Sequence, residues 1–299
     1  MSIIKMLDGF SSENLMKKKS SRREMFNTLG SFGKKAAAAA VPFGLATNKA
    51  KAAAFFQEGT SPVEALQFAL LLERLENQFY LMALESGVLD GRPARAEQVF
   101  MDISAHESAH VDFLVANLTD AGVDVSAEPT FDFTAGGTFD PFNTNGNADA
   151  SYAQLLALAQ AFEDTGVRAY KGQAPNLMNT PYLEPALQIH SVEARHASAI
   201  RRIRGTQGWI TGNGDNAMAP NVQAAMDAYE MVYAGEGVTT QGGVDLTTLD
   251  YSGPSGNDAI VGDMTEAITQ AFDEPLGMED VNMIASLFIA ADDSEDSDN

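Results

Sequence analysis

The sequence predicts an all-α protein: a four-helix bundle with a long connection between its second and third helices, then an irregular C-terminal extension with one or two short helices. Three observations point there. Apolar residues recur at three- and four-residue spacing in four long stretches between residues 61 and 204, the period of a buried helix face. Start and stop signals bracket these stretches, from Ser61-Pro62-Val63-Glu64 at the first to Gly205 after the last. The second pair of helices also repeats the polar pattern of the first.

The elements follow in chain order. Residues 1–54 read as an address rather than a fold. "KKKSSRREMFNTLGSFGKKAAAAAVPFGLATNKAKAAA" has a basic opening, a short alanine-rich apolar part and a run of small residues, the layout of an export signal. Its apolar part is too short for a permanent membrane span. Ser21-Arg22-Arg23-Glu24-Met25-Phe26 resembles the twin-arginine export motif with its aromatic residue one position late; an ordinary secretory signal is the alternative. Cleavage is expected near Ala52–Ala54, leaving a periplasmic or extracellular protein.

The first helix opens at the Ser61–Glu64 capping box with Pro62 in its first turn and runs to Leu84,. Gly87–Pro93 is a short turn, so the second helix, about Pro93 to Leu118, runs antiparallel to it. Residues 121–148 are rich in Gly, Asp, Asn, Thr and Phe without a helical period, a long connection. Ser151–Gln154 reads as another capping box and opens the third helix, which reaches Gln173. The fourth starts around Pro181 and Pro185 and ends at Gly205, with Arg201, Arg202 and Arg204 where the helix dipole favours cations,. Residues 55–205 thus form the bundle. Residues 206–291 form a loop-rich extension packed on it, with a short helix around Val222–Tyr233, another capped by Asp263–Glu266, and a last one over Glu279–Ala290. The glycine-rich "NGDN" lacks the acid spacing of a calcium loop. Residues 292–299 are a solvated acidic tail.

Composition narrows the function. The chain has 299 residues, no cysteine and a net charge of −22, so disulfides, thiolate metal sites and cysteine nucleophiles are excluded. Residues 1–52 carry ten of the 19 basic residues and three of the 41 acids. The rest is therefore strongly acidic, with Lys171 its only lysine. Such a body repels nucleic acid and attracts cations; adaptation to salty surroundings would leave the same composition.

The chemistry lies in the repeat. Glu73 and Glu163 are each followed seven residues later by a tyrosine, Tyr80 and Tyr170. Glu107 and Glu193 each precede a histidine by three, His110 and His196. Phe100, Ile103, Glu107, His110 and Leu114 form one stripe of the second helix, matched by Ala186, Ile189, Glu193, His196 and Ile200 in the fourth,. The polar pairs therefore sit inside apolar seams. Four carboxylates buried together are costly unless cations sit among them. Two divalent ions balance a charge of about −4, and an oxygen-rich set with one imidazole per ion suits iron or manganese better than zinc.

This pattern resembles the ferritin-like di-iron proteins, in which two helices give one Glu each and two give Glu-x-x-His. The resemblance covers residues 61–204, and "LLERLENQFY" and "HSVEARH" look like the exported, desiccation-associated branch. It implies two Fe ions, alternatively two Mn ions, with Glu73 and Glu163 as terminal ligands. Glu107 and Glu193 would bridge the metals, and His110 and His196 would supply one imidazole each. Glu76, one turn after Glu73, is the competing ligand, but its counterpart in the repeat is Gly166. Tyr80, Tyr170, His106 and His190 are candidates for the surroundings of the ligands. The implied activity is oxidation of ferrous iron or consumption of oxygen or peroxide. A manganese catalase-like activity and a non-catalytic protective bundle remain alternatives. Homo-oligomerisation is compatible with the sequence.

Overall fold

Ser61 starts the first helix through the reciprocal bonds its sequence calls for: its Oγ accepts from the Glu64 amide, and the Glu64 carboxylate accepts from its own amide. The computed structural model describes residues 60–211, 229–249 and 264–290, all within one unit of the chain. The export segment, the "NGDN" loop, the Asp263 cap, residues 222–228 and the acidic tail lie outside the described residues.

Helices α1 (Pro62–Glu85) and α2 (Ala94–Asp120) pack as one antiparallel pair, α3 (Ala148–Gln173) and α4 (Leu183–Ile203) as the other. The α1–α2 turn uses Gly87 and Gly91 at positive φ, where side chains are disfavoured. One expected boundary is corrected. α3 begins a turn before Ser151, because the Asn147 side chain accepts from the Ala150 amide and caps it there,.

The long α2–α3 connection closes one end of the bundle with phenylalanines. Phe133 meets Phe79 edge to face, ring centres 5.3 Å apart, and Phe162 meets Phe288 at 4.9 Å. The extension therefore completes the core rather than trailing from it. Residues 229–232 are helical, α5 spans Met264–Thr269 and α6 spans Met278–Ser286. Val281, Ile284 and Ala285 of α6 are buried together with Phe288.

The last helix stops at Ser286, not Ala290, since the chain turns there to pair with the long connection. The Asp132 amide donates to the Phe288 carbonyl at 2.7 Å and the Ala290 amide to the Thr130 carbonyl at 2.9 Å. A small hairpin, β1 (Thr240–Gln241) with β2 (Val244–Asp245), also stands where a plain loop was expected. Its two-residue turn is Gly242-Gly243, both at positive φ, a strong hairpin signal.

Buried ion pairs fasten the extension to α3. Arg168 bonds the carbonyls of Val232, Ala234 and Glu274 and pairs with Glu236 at 2.9 Å. Arg201, expected only to sit at the α4 dipole, is buried and pairs with Asp164, to which the Tyr233 hydroxyl also donates. At Gly172 the Leu276 carbonyl comes so near that a Cβ would overlap it. As a result every residue from Leu155 to Tyr170 is buried. Among the described residues no helix is long and apolar enough to cross a membrane.

Candidate metal centre

The repeated stripes of α2 and α4 face the bundle interior: nine of their ten residues are buried, and His110 is half-buried. Glu73 and Glu163 come from α1 and α3. All four glutamates are fully buried, so the pattern in the sequence becomes one cluster at the bundle centre.

The cluster has two halves. Nδ1 of His110 lies 3.1 Å from Glu73 Oε2, 3.2 Å from Glu107 Oε2 and 3.2 Å from Glu193 Oε1. Nδ1 of His196 lies 2.9 Å from Glu107 Oε1, 3.2 Å from Glu163 Oε2 and 3.6 Å from Glu193 Oε2. Glu107 and Glu193 thus give one oxygen to each half, while Glu73 and Glu163 each belong to one. Both four-residue groups have ligand atoms close enough to hold an ion.

The tyrosines cross between the halves. The Tyr80 hydroxyl of α1 donates to Glu163 of α3, and the Tyr170 hydroxyl of α3 donates to Glu73 of α1. Each fixes one carboxylate oxygen and leaves the other for the centre.

The remaining candidates separate. Glu76 is buried but belongs to neither group. It leans over Gly166, where a Cβ would lie 3.2 Å from Glu76 Oε1 and 3.4 Å from Glu193 Oε2. The glycine that breaks the repeat is thus the space its partner carboxylate occupies. His106 is exposed yet touches His196 across the α2–α4 seam, Nδ1 to Nε2 at 2.9 Å. His190 makes no hydrogen bond to the cluster among the described residues, and its Nε2 is buried without a partner. The nearby arginines do not neutralise the glutamates. Among the described residues Arg74 bonds the Ser126 carbonyl, Arg168 holds the extension, and Arg195 bonds Ser191.

Without cations the cluster holds together through protons. Burial pushes the Glu73 carboxyl up to about 7 against the pull of His110. Burial likewise raises Glu163, opposed by His196, and raises Glu76, with neighbouring carboxylates adding to it. Glu193 is held below its ordinary value: burial opposes, but the two imidazoles close to it prevail. His110 is pushed up to about 12, because the carboxylates of Glu107, Glu193 and Glu73 around it outweigh burial, and His196 is raised by the charge of Glu163 and by Glu107 and Glu193 beside it. Even so, Glu107 Oε1, Glu163 Oε2, both oxygens of Glu193 and His196 Nδ1 are buried without a hydrogen-bond partner. Buried acceptors left unpaired are expensive. Cations in the two halves would satisfy all of them at once, so the residues fit a metal pair.

Residues 61–206 match the family model of the ferritin-like domain. No curated protein matches the chain. The chain therefore contains a ferritin-like domain, carried on a helical bundle with a short-helix extension, and that domain holds buried Glu and His groups able to bind metal.

Proposed function

We propose that this domain binds two iron ions, alternatively two manganese ions, and uses them to oxidise ferrous iron or to consume oxygen or peroxide. The observation that carries the reading is the shared pair Glu107 and Glu193, each turning its two oxygens to different imidazoles. A salt-bridge network has no need of that doubling; two cations a short distance apart do. Glu73 with His110, and Glu163 with His196, would complete one ion each. Carboxylate oxygens with a single nitrogen per ion favour iron or manganese.

Such a metal pair, when bound, can exchange two electrons with oxygen or peroxide. The protein's own residues supply the setting. Tyr170 and Tyr80 hold the terminal carboxylates by one oxygen, so the other is already oriented,. Full burial of the four glutamates excludes bulk water from the centre. His110 keeps 12% of its side chain exposed, which leaves a small approach to the centre.

Metal content tests the reading first. The purified protein should take up close to two iron or manganese ions per chain, and Glu107→Ala with Glu193→Ala should remove them. Ferrous iron with oxygen should then give a faster rise in ferric absorbance with protein than without, and His196→Ala should lose most of that gain. Peroxide decay by manganese-loaded protein is the parallel assay. Two bound ions with silence in both assays would leave a protective bundle. Residues 1–54 complete the proposal as an export signal delivering the bundle to the periplasm or beyond.

A further inference from the structure

Helix α2 carries a histidine that the repeat does not call for. His106 stands one residue before Glu107, and the matching position in α4 is Val192. Its Nδ1 lies 2.9 Å from His196 Nε2. The rings are within 8° of parallel with centres 5.2 Å apart. That separation is close to the nitrogen–nitrogen distance plus two ring radii, so the rings meet edge to edge in one plane, a well-aligned N–H···N bond.

The direction of that bond follows from the other end of the ring. His196 Nδ1 faces three carboxylate oxygens, so it is the nitrogen whose lone pair a cation would take. The ring proton then resides on Nε2, and it points at His106. His106 accepts it at Nδ1 and keeps its own proton on Nε2. A carboxylate there would accept more strongly, but it would add negative charge beside five buried glutamates; a neutral imidazole accepts without adding any. His110 differs: among the described residues its hydrogen bonds run from Nδ1 to the cluster, and its Nε2 makes none.

We propose that His106 is a positioning residue for His196, and that it makes the two metal positions unequal: the ion held by Glu163 and His196 binds more tightly than the one held by Glu73 and His110. This rests on the two-metal reading above. Partners behind a ligating histidine fix its tautomer and ring plane, and losing one weakens metal affinity about 10–100-fold.

Chelator-treated full-length protein, titrated with manganese(II) and followed by the electron paramagnetic resonance of the free ion, tests it. Wild type should bind two ions in two resolved steps. His106→Phe keeps a flat ring without an acceptor; it should leave the weaker step in place and weaken the tighter one about 10–100-fold. His106→Gln, whose amide oxygen can accept, should recover most of the loss. In a Glu73→Ala background, where the remaining ion sits with His196, His106→Phe should weaken binding; in a Glu163→Ala background it should not. Two equivalent steps in wild type, unchanged binding in His106→Phe, or equal losses in the Phe and Gln variants would each overturn the proposal. Wild type that binds no manganese and no iron would overturn the two-metal reading itself.

Discussion

Replacing Glu73 with Gln separates the charge of the cluster from its shape. Gln keeps the volume, and its amide oxygen can still accept from Tyr170. Leu would instead leave that buried hydroxyl without an acceptor, at a cost of about 1–3 kcal/mol. In the metal-free protein, burial moves the Glu73 carboxyl from the ordinary 4.5 to about 7. The folded state therefore holds this proton more tightly than the unfolded chain does. Glu73 then supports folding fully below about pH 4.5, and that support drains away as pH rises to about 7. Measured against a neutral side chain, the same shift is a penalty that grows between those two values to about 3 kcal/mol, at about 1.4 kcal/mol per pH unit. Gln carries no such penalty. Metal-free Glu73→Gln should melt with the wild type near pH 4.5 and roughly 6–12 °C above it at pH 8. Manganese should narrow that gap at pH 8. At a hundredfold excess over the dissociation constant it stabilises the wild type by about 2.7 kcal/mol, while the variant, short of one ligand, gains less. Calorimetric melts in chelator and in manganese at both pH values give the answer. If the metal-free variant melts below the wild type at pH 8, Glu73 is holding the bundle through net attraction, and the cation-binding reading loses its main support.

Three other perturbations probe separate parts of the molecule. Gly166→Ala gains up to about 1 kcal/mol of helix propensity, but its methyl group would press on Glu76 and Glu193 at a cost of about 1–3 kcal/mol; manganese affinity should fall, and unchanged affinity and melting would refute that packing. Arg168→Met leaves Glu236 buried without its cation and strips three carbonyls of a donor. It should cost about 3–5 kcal/mol and expose residues 229–290 to limited proteolysis, which a melt unchanged from wild type would contradict. A reporter fused behind residues 1–60 should be exported, and Arg22→Lys with Arg23→Lys should stop it; export that persists points to the general secretory route.

The four long helices and the central cluster were legible because both rest on spacing. A helix that buries one stripe must place apolar residues every three or four positions, and a site shared by two similar halves must repeat its residues. Where the signal is ambiguous, the reading slips. Ser151–Gln154 imitates a capping box, but Asn147 caps a turn earlier and wins. The polar residues Gln160, Asp164 and Arg168 look like the wet face of α3. They are buried because the extension lies over them, and periodicity cannot register a cover that comes from so far along the chain. The contact of His106 with His196 was hidden for a related reason: it depends on how α2 and α4 rotate toward each other, which neither helix encodes alone. The hairpin left a signal in Gly242-Gly243, but its strands are too short to alternate.

The aromatic lock between Phe288 and the rest of the core has a consequence for how the protein is made. Phe288 packs on Phe133, Phe139 and Phe162, and the chain around it pairs with residues 130–132. A nascent chain can form its early helices and even bring the glutamates near one another. It cannot finish its interior until residue 288 has left the ribosome. Contacts this distant in sequence form late, so a translation product cut short in the last stretch would present an open phenylalanine pocket to the cell's chaperones and proteases.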